Sequence, residues 1–134
     1  MNKYIIEKNK LKFVVVDLLG ERWKHCSAED DTIQKTLGCF LSCWQKPDRV
    51  GDLLKEIEAL LNGQLVDAAT SCESVLIDIY KDKTEFFDAC SESNFRKPDF
   101  IMSTADFKAV LAEWKEFLGT PASKKLPVLH SVWL

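Results

Sequence analysis

The chain has 134 residues, 46% of them hydrophobic and 29% charged, with a formal net charge of -3. That balance lies far from the composition of disordered chains, and folding a chain of this length buries roughly two thirds of its accessible surface, which predicts a single domain over residues 1–134. The missing basic excess argues against a phosphate-backbone binder, and the charged start Met1 to Glu7 leaves no room for a secretory apolar region or a span of about 20 apolar residues, so a cytoplasmic protein with neither nucleic-acid nor membrane partner is expected.

In chain order, Tyr4 to Lys8 and Leu11 to Leu19 flank Asn9-Lys10 as a hairpin, the second run carrying the β-branched core of a strand in Val14-Val15-Val16. Glu21 to Cys26 supplies a third short strand around Trp23. Ser27, followed by Ala28-Glu29-Asp30, has the chemistry of a helix start, and Ile33, Leu37, Phe40, Leu41 and Trp44 then share one helical face. Pro47 ends that helix and opens the next, in which Val50, Leu53, Leu54, Ile57, Leu60 and Leu61 recur at helical spacing before Asn62-Gly63.

From Val75 to Tyr80 the pattern turns extended, with Val75, Ile77 and Ile79 on one face and Leu76, Asp78 and Tyr80 on the other. Lys81-Asp82-Lys83 reads as a turn and Glu85 to Cys90 as the returning strand. Asp99 to Met102 is a last strand leading into a helix capped by Ser103 or Thr104, with the stripe Phe107, Val110, Leu111, Trp114, Phe117 and Leu118, and with Gly119 and Pro121 as its stop. The remaining tail is basic at Lys124-Lys125 and then apolar to Leu134. These elements predict an α+β fold, an antiparallel sheet of four to six strands packed on three amphipathic helices.

No phosphate loop, His-Glu-x-x-His, nucleophile elbow or Cys-x-x-Cys pair is present. The five cysteines, Cys26, Cys39, Cys43, Cys72 and Cys90, have no disulfide-scaffold spacing and read as reduced thiols. Cys39 and Cys43, four apart on one helix, form a zinc set with His25 and Cys26 in principle, but are expected instead to pack in the core, with no metal and no cofactor. His25 or His130 activating a cysteine is the remaining chemical option, and no local signature supports it. Trp23, Trp44, Trp114 and Trp133 do not form a stacking surface in this reading, since two of them lie on core stripes.

The charge distribution is more informative. From Asp67 to Glu92 seven acids face only Lys81 and Lys83, a local balance of -5, so the rest of the chain carries +2. A solvated sheet face is one reading, and an acidic docking surface for a basic partner is the other.

The hairpin Val75-Leu76-Ile77-Asp78-Ile79-Tyr80 and Glu85-Phe86-Phe87-Asp88, the strand Phe100-Ile101-Met102-Ser103 and the pattern Phe107-x-x-Val110-Leu111-x-x-Trp114-x-x-Phe117-Leu118 together resemble small bacterial immunity proteins. Proteins of this kind accompany polymorphic toxins, including those of contact-dependent growth inhibition. The resemblance runs from Ser74 to Leu118 and implies a cytoplasmic, non-catalytic protein that binds a cognate toxin domain, often a nuclease, and blocks its active site. No binding residue transfers from it. From the charge pattern, Asp78, Asp82, Glu85 and Asp88 are expected to steer a basic toxin domain, with Tyr80 or Phe87 as aromatic anchors. A small Cys/His enzyme or metal-dependent regulator and a structural subunit that buries its apolar tail are the alternatives.

Overall fold

The computed structural model describes residues 3–93 and 95–120. As expected, the fold is α+β with antiparallel strands; the six among the described residues are divided between a two-stranded and a four-stranded sheet where one sheet was expected. No helix among the described residues is long and apolar enough to cross a membrane. The sequence expectations for Pro121 and for the tail through Leu134 lie outside the described residues.

The chain begins with α1 (Lys3–Lys8), where a strand was expected. A helix here buries Ile5, leaves Tyr4 exposed, and lets Asn9 close the turn through its side-chain amide, which donates to the Ile5 carbonyl at 3.0 Å. The hairpin therefore sits one element later, between β1 (Leu11–Leu18) and β2 (Glu21–Ala28). Its two-residue turn has positive φ at both Leu19 (50°) and Gly20 (84°), the twist that matches antiparallel strands.

β2 continues through Ser27 and Ala28, whose backbones pair with β1, so Ser27 does not cap the next helix. Asp30 does, accepting from the Ile33 N–H at 3.0 Å. A continuous helical stretch follows as α2 (Asp31–Ile33), a π-helical segment (Gln34–Gly38) and α3 (Cys39–Cys43). Gln34 bridges this stretch to β2, accepting from Ala28 N at 2.6 Å and donating to Cys26 O at 3.2 Å. Gly38 permits that approach, because a Cβ there would lie 2.9 Å from the Gln34 amide and 3.3 Å from Cys26 O.

α4 (Pro47–Leu61) starts on Pro47 and buries Val50, Leu53, Ile57 and Leu60. It ends at Asn62 and Gly63, the latter at φ +80°. The second sheet runs in the order β3 (Asp67–Ser71), β4 (Val75–Tyr80), β5 (Lys83–Asp88), β6 (Phe100–Ser103). Its inner face, with Ile77, Ile79, Phe86 and Met102, packs on Phe40, Ile57, Phe107 and Leu111 in one core. Phe86 meets Phe107 edge-on with ring centroids 5.3 Å apart.

α5 (Thr104–Leu118) is capped by Ser103, whose hydroxyl accepts from Asp106 N at 3.1 Å. Thr104 anchors this end to the sheet: its hydroxyl lies 2.9 Å from that of Thr84 and donates to Tyr80 O, while its N–H reaches Asp82 O at 3.4 Å. The opposite end is closed by buried Lys24, whose ammonium donates to Phe117 O at 2.9 Å, to Leu118 O at 2.8 Å and to Thr120 O. A cation there meets both the orphan carbonyls and the negative pole of the helix. Burial lowers the Lys24 pKa from its ordinary value, and the three carbonyls supply the hydrogen bonds that a desolvated ammonium needs.

Candidate binding face

Strand alternation splits the second sheet into two faces. Because Val75, Ile77 and Ile79 point into the core, Leu76, Asp78 and Tyr80 lie on the outside, joined through the strand register by Asp67 and Ala69 of β3, Glu85 and Phe87 of β5, and Ile101 of β6. One row crosses all four strands: Ala69, Asp78, Glu85, Ile101. Among the described residues no helix covers this face, and Leu76 and Ile101 are 38% and 49% exposed.

Asp78 and Glu85 are direct cross-strand partners, and like charges placed this way destabilise a sheet. Lys83 offsets part of the charge, its ammonium lying 3.2 Å from the Glu85 carboxylate. Among the described residues no cation pairs with Asp78 in this way. Partial burial first, then the Glu85 and Asp67 charges, push its carboxyl above the ordinary value. Tyr80, opposite Asp67, is pushed up by Asp78 first, then by partial burial and by Glu85 and Asp67. The small side chain of Ala69 leaves a shallow recess of about 180 Å³ bordered by Asp67, Asp78 and Tyr80.

The six residues singled out from the sequence are not all together. Asp78, Tyr80 and Glu85 share the outer face, and Asp82 is exposed in the turn at its end. Phe87 belongs to the same face but is only 7% exposed, because the ring of Phe95 covers it with centroids 6.3 Å apart. Phe95, which the sequence reading missed, is 46% exposed and holds φ +66°, a costly conformation for an aromatic residue. The exposed aromatic at that end of the face is therefore Phe95 in place of Phe87. Asp88 departs further: it pairs with Val75 and so points to the opposite side, where its carboxylate accepts from Cys90 N at 2.9 Å. It borders a cleft with Lys35, Ser74 and Asp99, away from Asp78 and Glu85.

No family model, curated protein or solved structure matches the chain. The residues themselves carry the functional argument.

The chemical alternatives fare unevenly. His25 is engaged by Ser42, Nδ1 to Oγ 3.1 Å, and burial lowers its pKa. Cys26 is buried, its thiol pushed up to about 12 by burial, which makes it an inert core residue. His130 lies outside the described residues. Cys39 and Cys43 were expected in the core, but Cys43 is exposed and Cys39 half-buried, since both sit on the flank of the stripe formed by Leu37, Phe40, Leu41 and Trp44. That flank turns them toward Cys72, which spacing alone had not connected to them.

The opposed carboxylates give a direct test. Asp78→Asn removes one charge and is expected to raise stability at neutral pH by a few tenths to about 1 kcal/mol. Because the folded-state pKa is raised, the penalty is fully present above that value. Once the pH falls below the ordinary Asp range, both the folded and the unfolded chain are protonated there and the penalty is gone. The advantage of the variant should thus fade on acidification, measured by urea unfolding at neutral and acid pH. An unchanged or lower midpoint at neutral pH would show that the Asp78 charge is already compensated.

Proposed function

We propose that this chain is a non-catalytic immunity protein that binds a cognate toxin domain in the cytoplasm and occludes its active site. The contact would be made by the outer face of the sheet β3 to β6, against a basic surface such as a nuclease presents to phosphate. One observation carries this reading: Asp78 and Glu85 are directly opposed beside Asp67 on a face that no helix covers among the described residues. Alone, that arrangement costs stability. A cationic partner relieves it, and its field speeds and orients encounter.

The neighbours suit an interface. Leu76 and Ile101 offer exposed apolar surface on the same face, and Tyr80 and Phe95 add aromatic groups near its two ends. Four strands spaced about 4.8 Å apart, each four to six residues long, present roughly 350 Å². A standard interface buries about 800 Å² per partner, so docking must also engage the Lys81-Asp82 turn and the loop that carries Phe95. Both border the sheet.

The experiment is co-expression with a candidate toxin domain of basic surface, such as a nuclease domain where the neighbouring genes encode one. A stoichiometric complex that abolishes the toxin's activity is expected. Full toxicity in the presence of folded protein, with no complex on gel filtration, would overturn the proposal.

A further inference from the structure

Where α3 meets the turn that joins β3 to β4, three thiols converge: the sulfur atoms of Cys39, Cys43 and Cys72 all lie within 4.8 Å of one another. We infer that these residues form a metal site, a three-thiolate cradle for a thiophilic d¹⁰ cation of the Zn(II) or Cu(I) kind. This inference is independent of toxin binding.

Geometry argues for it first. Cys39 and Cys43 are one helical turn apart, so their side chains lean along the same face, and Cys72 approaches from the facing turn. With Zn–S bonds of about 2.3 Å, tetrahedral thiolates stand about 3.8 Å apart, so small rotamer adjustments convert the observed trio into a coordinating one. The supports are already in place without a metal. Trp44 Nε1 donates to Ser71 O at 3.3 Å, fixing the end of β3 against the end of α3. Cys72 N donates to Val75 O at 2.9 Å, closing the turn, and the Ser74 hydroxyl lies 3.2 Å from the Cys39 sulfur, placed to donate to a thiolate.

Burial separates this cluster from ordinary core cysteines. Cys26 is fully enclosed, as a packing residue should be, whereas Cys39 and Cys72 are half-buried and Cys43 is exposed. That exposure gives an ion an entry path and leaves a coordination position open to water. A disulfide accounts for the trio less well, since any pairing leaves one thiol over. Coordination takes each cysteine as its thiolate. Binding must therefore release protons, and affinity should rise with pH.

The test uses the full chain, reduced and stripped of metal under anaerobic conditions, titrated with Co(II). A thiolate-to-cobalt charge-transfer band that saturates at one equivalent and is displaced by Zn(II) is expected, with a metal-dependent rise in the thermal midpoint. Cys72→Ser and Cys43→Ser should each abolish the band. Cys43 is exposed, so its replacement leaves the fold intact by circular dichroism even if Cys72→Ser does not. Cys90→Ser, outside the cluster, should keep the band. A chain that ignores Co(II) and Zn(II) but retains one Cu(I) against a competing chelator, and loses it in Cys43→Ser, would support the cradle and assign it to the monovalent ion. If neither Co(II) nor Cu(I) is retained and metal does not slow alkylation of the three thiols, the inference is overturned.

Discussion

Trp114→Ala is expected to unfold the protein or bring it close to unfolding. Trp114 is fully buried in α5, edge-on to Phe13 of β1 at 5.1 Å and beside Phe117 at 5.7 Å. Removing so large a buried ring costs about 3 to 5 kcal/mol. Its indole N–H also donates to Trp44 O at 2.8 Å, across the core at the end of α3. Stranding that carbonyl adds about 1 to 3 kcal/mol. Since a domain holds only about 5 to 15 kcal/mol in all, the combined loss takes most of the margin. Trp114→Phe separates the two terms, because it keeps most of the ring contacts and removes only the donor. Urea unfolding should rank wild type above Trp114→Phe and that variant well above Trp114→Ala. A midpoint for Trp114→Ala close to wild type would show that the α5 stripe contributes far less than its burial indicates.

The helices were legible in the sequence because their stripes are long enough to display a period. Val50 to Leu61 and Phe107 to Leu118 repeat over several turns, and burial follows the pattern closely, with Leu54, Leu61 and Phe117 only half-buried at the edges of the stripes and Glu113 buried off them. Tyr4 to Lys8 is too short for that, and Ile5-Ile6 fits a strand as well as a helix until Asn9 closes the turn. β3 gave no signal at all. Its inward residues, Ala68 and Thr70, are small, and the strand exists through its pairing with β4.

The candidate site divides along similar lines. That Asp78 faces Glu85 follows from parity once the connection is taken as the two residues Lys81 and Asp82, and the same parity places Asp88 against Val75, toward the core side. Treating Lys83 as part of the turn hid this, so the acids were counted together although the sheet separates them. The cover of Phe95 over Phe87 and the meeting of Cys72 with Cys39 and Cys43 are long-range contacts with no local pattern behind them.

That separation of the acids sharpens the functional test. If the outer face docks a basic toxin domain, the double variant Asp82→Lys with Glu85→Lys should slow association by at least about tenfold, within the range over which complementary charge accelerates encounter. Both residues lie on or beside the proposed face, and Glu85→Lys would also place a cation opposite Asp78. Glu85→Lys relieves the repulsion with Asp78 but breaks the ion pair with Lys83, at a side chain only 15% exposed, so circular dichroism and urea unfolding must first show the double variant folded. Screening beyond about 8 Å at physiological salt means that wild-type association should slow as salt rises, and more steeply than that of the variant. Asp88→Asn provides the internal control. It removes a charge of the same segment on the opposite side of the sheet while keeping an oxygen for Cys90 N, so a docking site confined to the outer face predicts association close to wild type. A generic effect of net negative charge predicts that Asp88→Asn slows association as each single reversal does, in proportion to charge removed. Stopped-flow association rates for the three proteins at low and high salt decide the matter. Equal rates for wild type and the double variant would move the interface off this sheet, and a loss in Asp88→Asn matching that in the double variant would move it to the cleft beside Lys35 and Ser74.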